Sequence, residues 1–408
     1  MSAGIIISIV LVLLFLLKLY VFRGMYQASL SKVFTWSYFV LSALVFFIGI
    51  IVFYQWFTQG ASPSFWSNFL SALMFTFTVV ELIMSAVFLL DDVLIFFSWV
   101  GDKFSKKEVV EVVTERRRFV KLAGLGLAAI PFASFLYGIT KGKYAYKVHR
   151  VKLAFKDIPK AFDGFKLVQF SDFHSGSFDS LESVQRGVEL MQDQNADMIL
   201  FTGDIVNSDA KEILPYNHLL KNLKAPFGKY AVLGNHDYAI HGRGKVDEEI
   251  VQQSVKDVTK NHADAGFEML HNRNVEIEKD GEKIRLVGVE NWGNGFIQRG
   301  DINKAYEGME DGEFNILMSH DPSHWDAQVK SFPKKVHLTL SGHTHGTQMG
   351  VEIGDFKWSP SKYIYKQWAG LYTEGEQNLY VNRGFGFLGF AGRVGILPEI
   401  TVIELEKA

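Results

Sequence analysis

The chain has 408 residues, a formal net charge of -2 and no cysteine. Its length allows two or three domains with ample material for a core. The near-balanced charge argues against a generally nucleic-acid-binding surface, so no nucleic-acid partner is expected and any anion binding must be local. The missing cysteines exclude disulfides and thiolate-ligated zinc or iron-sulfur centres.

Apolar residues crowd the first third. Ile5 to Phe22, Trp36 to Phe57, Phe65 to Leu90 and Phe119 to Ile139 are each long enough, at about 1.5 Å per residue, to cross a hydrocarbon core of about 30 Å. Residues 1–140 therefore read as a membrane domain of about four helices, and 141–408 as a separate domain. Two ionisable residues fall within these runs. Lys18, near the end of the first, is expected to snorkel to the interface, and Glu81, inside the third, to face neighbouring helices, with a functional ionisable role as the alternative. Lysine and arginine set the orientation, since positive loops stay in the cytoplasm. Lys18, Arg23 and Lys32 flank the first connection, Thr58 to Ser64 carries no positive charge, and Lys103, Lys106, Lys107, Arg116, Arg117, Arg118 and Lys121 mark the third. That alternation puts the N-terminus and everything after Thr140 on the outer side, periplasmic or extracellular. Arg116-Arg117-Arg118-Phe119-Val120-Lys121 also resembles a twin-arginine export signal placed internally, although Glu115 stands where Ser or Thr is usual; a plain positive-inside anchor explains the same arginines.

From Tyr144 onward the pattern changes to that of an α/β domain. Short buried strands are expected at Phe165–Phe170, Met198–Phe201, Tyr230–Leu233, Ile284–Val289, Phe314–Met318 and Val336–Leu340, with helices at Leu181–Gln194 and Glu248–Ala265. Alternation of the two argues a layered α/β architecture. Asn378–Asn382 and Glu399–Glu404 read as a hairpin-like pair that adds antiparallel pairing.

Polar residues collect at the ends of these strands. Asp172 and His174 follow Phe170, Asp204 follows Phe201, Asn235 and His236 follow Leu233, His320 follows Met318, and His343 and His345 follow Leu340. Ligand sites of open α/β sheets gather at the carboxyl edge, where loops converge on rigid strands. Carboxylate, imidazole and amide oxygen suit manganese, iron or zinc rather than copper(I) or calcium. Two divalent ions against two carboxylates leave a positive balance that draws in an anionic phosphate and stabilises its transition state.

Asp172-x-His174, Gly203-Asp204, Gly234-Asn235-His236-Asp237, His320 and Gly342-His343-Thr344-His345 resemble the five ordered motifs of the calcineurin-like metallophosphoesterases, over roughly Val151 to Leu405. The likeness is greatest to the membrane-tethered bacterial members, some with twin-arginine signals and some cleaving the pyrophosphate of UDP-diacylglucosamine. It implies a four-layer α/β/β/α sandwich and a dinuclear site. In that site Asp172, His174 and His345 bind one metal, Asp204 bridges, and Asn235, His320 and His343 complete the second. His236 then contacts the phosphate and assists the leaving oxygen. The implied function is hydrolysis of phosphodiester, phosphomonoester or pyrophosphate bonds, with a phospholipid or lipid-nucleotide as the expected substrate. A membrane sensor or scaffold that keeps the fold without turnover is the alternative.

One position departs from the family pattern. Members often read Gly-Asp-x-x-Asp, the second Asp supporting the charged catalytic histidine; Asn207 stands there in this chain. An amide can fix a neutral imidazole but lends it no charge, so weaker proton donation by His236 is expected unless Asp237 or Asp209 compensates. His149, His218, His241, His262, His271 and His337 read as surface or packing residues, and His324 as a possible lining residue. Arg383 and Arg393 are either phosphate contacts or surface arginines, and Gly384 to Phe390 either a lipid-facing loop or a turn with core aromatics.

Overall fold

The computed structural model describes residues 3–28, 30–59, 64–105, 110–239 and 247–408, with the backbone alone at 3, 4, 53, 55–59, 102–105 and 110–117. Lys106, Lys107 and His241, and the side chains of Lys103, Arg116 and Arg117, lie outside the described residues. Two compact units are distinguished, Met1–Thr140 and Lys141–Ala408.

The first unit is four helices: α1 (Ala3–Gln27), α2 (Lys32–Gln59), α3 (Phe65–Ser105) and α4 (Val110–Thr140). Each carries a stretch long and apolar enough to span a membrane: Ile5–Gln27, Lys32–Val52, Phe65–Gly101 and Arg118–Thr140. Large apolar side chains such as Val12, Leu44, Leu82 and Leu127 point outward, as expected of helices whose surroundings are lipid rather than water. The three arginines before Phe119 belong to α4 itself, continuous with the fourth span.

Lys18 does not snorkel. It is buried, and its Nζ donates to Glu81 Oε2 and Ser42 Oγ at 2.8 Å each. Ser42 donates in turn to the other Glu81 oxygen, so α1, α2 and α3 are joined by one closed polar cluster. A charged pair in an apolar bundle persists only when both partners are present, since removing one leaves an uncompensated buried charge. Glu81→Ala is thus expected to cost about 3–5 kcal/mol, and Lys18→Met combined with Glu81→Met to recover most of it. Thermal unfolding of the full chain in detergent measures both.

The second unit is built on two six-stranded sheets. The strands are β1 (Lys147–Phe155), β2 (Phe165–Phe170), β3 (Met198–Phe201), β4 (Lys229–Ala231), β5 (Glu268–Met269), β6 (Arg273–Lys279), β7 (Glu282–Gly288), β8 (Asn315–Met318), β9 (Leu338–Ser341), β10 (Val351–Ile353), β11 (Phe356–Trp358), β12 (Gly370–Glu374), β13 (Gln377–Val381) and β14 (Glu399–Lys407). The first sheet runs β1-β14-β2-β3-β4-β5, the second β12-β13-β9-β8-β7-β6, and β10-β11 is a separate hairpin. Within them β2 to β5, and β7, β8, β9 and β13, are parallel.

Alternation along the strands explains the layers. Leu167, Met198, Leu200 and Leu405 of the first sheet meet Leu286, Ile316, Met318, Leu338 and Leu340 of the second in one core. Side chains one residue out of step point the other way. Val287, Leu317, Leu379 and Val381 pack with Ile302, Trp325 and Val329 outside the second sheet. Outside the first, helix α5 (Leu181–Gln192) buries Val184, Val188 and Met191, and after the short α6 (Asn217–Lys221) helix α7 (Glu248–Asp264) sets the His262 ring 5.3 Å from Phe201. Strands buried on both faces read as continuous apolar runs, which is why they stand out in the sequence. The result is the four-layer α/β/β/α sandwich.

The expected hairpin-like pair does not form. β13 pairs antiparallel with β12 in one sheet, while β14 pairs antiparallel with β2 in the other. The chain crosses between sheets through Gly384 to Phe390, where Phe385 stacks on Phe173 with centroids 5.2 Å apart and both Phe385 and Phe387 are buried. Those aromatics are core, and it is this core that separates the two strands.

Candidate metal centre

All five motif loops leave the sandwich at one edge and are tied to one another across it. Beyond β2 and β3 the ladder continues, Asp172 N donating to Gly203 O at 2.9 Å and His174 N to Asp204 O at 3.1 Å. The second sheet does likewise, Gly342 N donating to His320 O at 2.9 Å. Two further bonds join the sheets: His343 N to the Asp172 carboxylate at 2.9 Å, and His320 Nδ1 to Thr202 O at 2.7 Å.

Packing loops this closely requires unusual backbone. Asp172, His174, Asp204, His343 and His345 all have left-handed φ values, between 49° and 71°. Non-glycine residues adopt that region at a cost and persist there only when surrounding contacts demand it. Two glycines make room. A Cβ on Gly203 would lie 2.7 Å from His320 Nδ1, and one on Gly342 would lie 1.9 Å from Ser171 Oγ.

The side chains form two adjoining groups that could each hold a metal ion: Asp172, His174 and His345, and Asp204, His320 and His343. In the first, Nε2 of His174 and Nε2 of His345 face each other at 3.0 Å, with Asp172 Oδ1 3.2 Å from His345 Nε2. In the second, His343 Nδ1 faces His320 Nε2 at 3.2 Å. Asp204 lies between them, its Oδ2 3.1 Å from His320 Nε2 and 3.7 Å from His174 Nε2. Burial alone would push both carboxyls toward protonation. For Asp172 the facing imidazoles, led by His345, outweigh burial; for Asp204 they are led by His320; and both acids are held below the ordinary carboxylate range.

Asn235 offers the most direct test of fit. Its carbonyl oxygen Oδ1 is buried and accepts no hydrogen bond, an expensive state unless something else coordinates it. A hard divalent cation is such a partner, and this donor set of imidazoles, carboxylates and one amide oxygen suits it.

Asn207 behaves otherwise than expected. Its side chain does not orient His236. Oδ1 accepts from His174 Nδ1 at 3.1 Å, and Nδ2 donates to Ser177 Oγ at 3.0 Å. The backbone carbonyl of Asn207 is what accepts from His236 Nδ1, at 2.8 Å. The amide thus holds the tautomer in which His174 Nε2 is a free lone pair, while His236 depends on a group no substitution at 207 removes. Nor do the two candidate acids compensate. Asp237 accepts from the amides of Gly234, Asp204 and Ile205 and is pushed up to about 7 by burial and by Asp204, and Asp209 caps Ala210–Ile213.

Several other residues find their places here. His324 is buried, bonded to Ser319 Oγ and Gln328 Oε1 and stacked on Trp292, so it is structural. Arg383 is no surface arginine; it is buried against Glu399 at 2.6 Å and Glu352 at 2.7 Å. Arg393 is fully buried, bonded to Gly386 O, with Nη2 3.2 Å from His345 Nδ1. Two further residues, which no motif marks, adjoin His343. Tyr365 Oη lies 2.8 Å from His343 Nε2, and Asp321 Oδ2 lies 3.4 Å from the same nitrogen. Asp321 adjoins His320 and was open to suspicion; Tyr365 sits in an irregular segment with no motif to mark it.

Paired Asp/His groups on rigid strand ends, with the Asp204 carboxylate between them, are the equipment of a metal-dependent hydrolase. Comparison with known proteins names the family. The family model of the calcineurin-like phosphoesterases matches residues 165–347, and one for the probable transmembrane domain of calcineurin-like phosphoesterases matches residues 2–143. The uncharacterized metallophosphoesterase YkuE of Bacillus subtilis is 33% identical over 306 residues, 72% of this chain and 98% of that one. Phosphodiesterase YaeI of Escherichia coli is 26% identical over 71% of this chain and 98% of its own. The UDP-2,3-diacylglucosamine pyrophosphatase LpxG of Chlamydia muridarum is 27% identical over 56% of this chain and 81% of its own. The chain belongs to the calcineurin-like phosphoesterases, hydrolases of phosphoric ester bonds, and is a membrane protein of that family.

Loss of an outer-sphere partner of a metal-binding histidine typically weakens metal affinity 10–100-fold. Asn207→Ala is expected to lower divalent-metal affinity by about that factor, as read by competitive metal titration. At saturating metal kcat should stay near that of the parent, because the carbonyl that holds His236 remains.

Proposed function

We propose that residues 1–140 form a four-span membrane domain and residues 141–408 a catalytic domain that uses two divalent ions, manganese, zinc or iron, to hydrolyse a phosphodiester or pyrophosphate bond in a lipid-linked substrate. The observation that carries the reading is Asp204 set between two imidazole groups, beside the unpaired Asn235 oxygen. Asp172, His174 and His345 would hold one ion, Asn235, His320 and His343 the other, and Asp204 both. Ions so held supply Lewis acidity toward the phosphoryl oxygens and acidify the attacking water. The chain's own residues do the rest. Asp172 and Asp204 stay ionised, His174 is kept in one tautomer by Asn207, and Tyr365 and Asp321 flank the outer nitrogen of His343. His236 donates its Nδ1 proton to the Asn207 carbonyl, which leaves Nε2 as the nitrogen that meets the leaving oxygen.

The membrane anchor supports a substrate that shares the bilayer, since confinement raises its effective concentration. The 27% identity to a UDP-2,3-diacylglucosamine pyrophosphatase supports the same class, and that to a phosphodiesterase supports diester chemistry. The distribution of Lys and Arg along residues 1–140 supports an exocytoplasmic catalytic domain. A full set of donors speaks against a scaffold without turnover.

Purified full-length protein with manganese, zinc or iron should hydrolyse bis-p-nitrophenyl phosphate and members of a phospholipid and nucleotide panel. Chelation should abolish turnover, and Asp204→Asn or His343→Ala should lower kcat by about 100-fold or more. Turnover that survives both substitutions together would place the chemistry elsewhere. Protease added outside sealed cells should remove the catalytic domain; a protected domain would reverse the orientation.

A further inference from the structure

The β10-β11 hairpin is built inside out. Its register pairs Val351 with Trp358, Glu352 with Lys357 and Ile353 with Phe356, and paired residues share a face. Glu352 bonds to buried Arg383 at 2.7 Å, and Lys357 donates to the Ala369 carbonyl at 2.5 Å while lying over the Tyr372 ring. The charged ends of that face therefore turn to the protein, although Lys357 as a whole stays exposed. The other face leaves Val351 41%, Ile353 73% and Phe356 63% exposed. The next turn adds two more apolar tips, Tyr363 and Ile364, both 73% exposed. Isolated exposed apolar residues need no explanation, but a sheet face with its apolar side outward and its charges inward does.

Composition and chain order say what covers it. Lys362 and Lys366 are exposed on either side of Tyr363 and Ile364, with the Lys362 ammonium over the Tyr363 ring at 5.2 Å. Aliphatic tips with aromatic rings and lysines beside them are the composition of segments that lie in the boundary between lipid headgroups and acyl chains. The same chain carries four membrane-length helices, and the last ends at Thr140, one residue before this unit begins. The unit is thus joined by the chain itself to those helices.

We propose that the hairpin face of Val351, Ile353 and Phe356, together with Tyr363 and Ile364, is a membrane-docking surface that inserts into the lipid interface, with Lys362 and Lys366 meeting anionic headgroups. The hairpin springs from the loop that carries His343 and His345, and the second turn leads into Tyr365, which touches His343. Insertion would fix the candidate metal centre at headgroup depth and limit it to phosphoesters presented by the bilayer. In that respect the proposal rests on the hydrolase reading above, but its test does not.

The chain has no cysteine, so single reporters are clean. Ile353→Cys and Ile364→Cys, and as controls Leu214→Cys and Ile250→Cys at exposed apolar positions elsewhere on the unit, are labelled with an environment-sensitive fluorophore in the full-length protein. Each is reconstituted singly in nanodiscs of phosphatidylcholine and phosphatidylglycerol, with and without nitroxide-labelled lipid. Quenching at 353 and 364 is expected to exceed that at 214 and 250 several-fold, and to fall when Lys362 and Lys366 are both changed to Glu. Equal quenching at all positions, or none at 353 and 364, would overturn the proposal, as would a signal seen only in discs holding two chains, which would make a second copy the occupant. Should a labelled variant not melt as the parent does, Phe356→Cys across the hairpin serves instead. No turnover enters this readout, so an inactive protein that docks would refute the hydrolase reading and leave the docking surface standing.

Discussion

The position of the Asp204 carboxylate between two imidazole groups is the constraint around which the catalytic unit is arranged. An ionised, buried carboxylate is costly unless cations or donors surround it. Here it is approached by His320 and His174, and its other oxygen accepts the His236 amide at 2.8 Å. Its own backbone amide is held by Asp237. His320, His174 and the His236 amide come from three different loops, so satisfying one side chain brings several strand ends together. The bonds of His343 to Asp172 and of His320 to Thr202 then lock the two sheets at that edge. Left-handed backbone at five motif positions is the strain that such convergence imposes.

Asn207 shows how a departure from a family pattern can be misread from sequence. An amide in place of a carboxylate suggested a weaker catalytic histidine. The structure places that side chain on His174 and gives His236 the backbone carbonyl instead. A neutral acceptor still fixes the His174 tautomer, while the side chain at 207 makes no bond to His236. Arg393, behind His345, and Tyr365, beside His343, extend the shell that orients the imidazoles.

Much of this was legible in the sequence, and the reasons are specific. β3, β8 and β9 are buried on both faces, so they are apolar but for Asn315, Thr339 and Ser341, and their ends fix where the motifs must lie. The edge strands β6 and β12, half exposed and mixed in composition, carried no such signal. The partnership of β13 and β14 was misjudged because proximity in sequence cannot report that the Phe385 core lies between them. The membrane spans follow from length and hydrophobicity, but the sequence does not reveal the partner of Lys18, because Glu81 is 63 residues away. Backbone strain and the inward-facing charges of the β10-β11 hairpin need coordinates to be seen at all.

If Asp204 serves both groups, as proposed, two cations occupy the site together. Elemental analysis of the full-length protein after saturation with manganese and removal of free metal tests that most directly. The account predicts two ions per chain in the parent and a loss of paired occupancy in Asp204→Asn, seen as the disappearance of exchange-coupled manganese signals in electron paramagnetic resonance. A parent that binds a single ion, or two with no magnetic coupling, would contradict it.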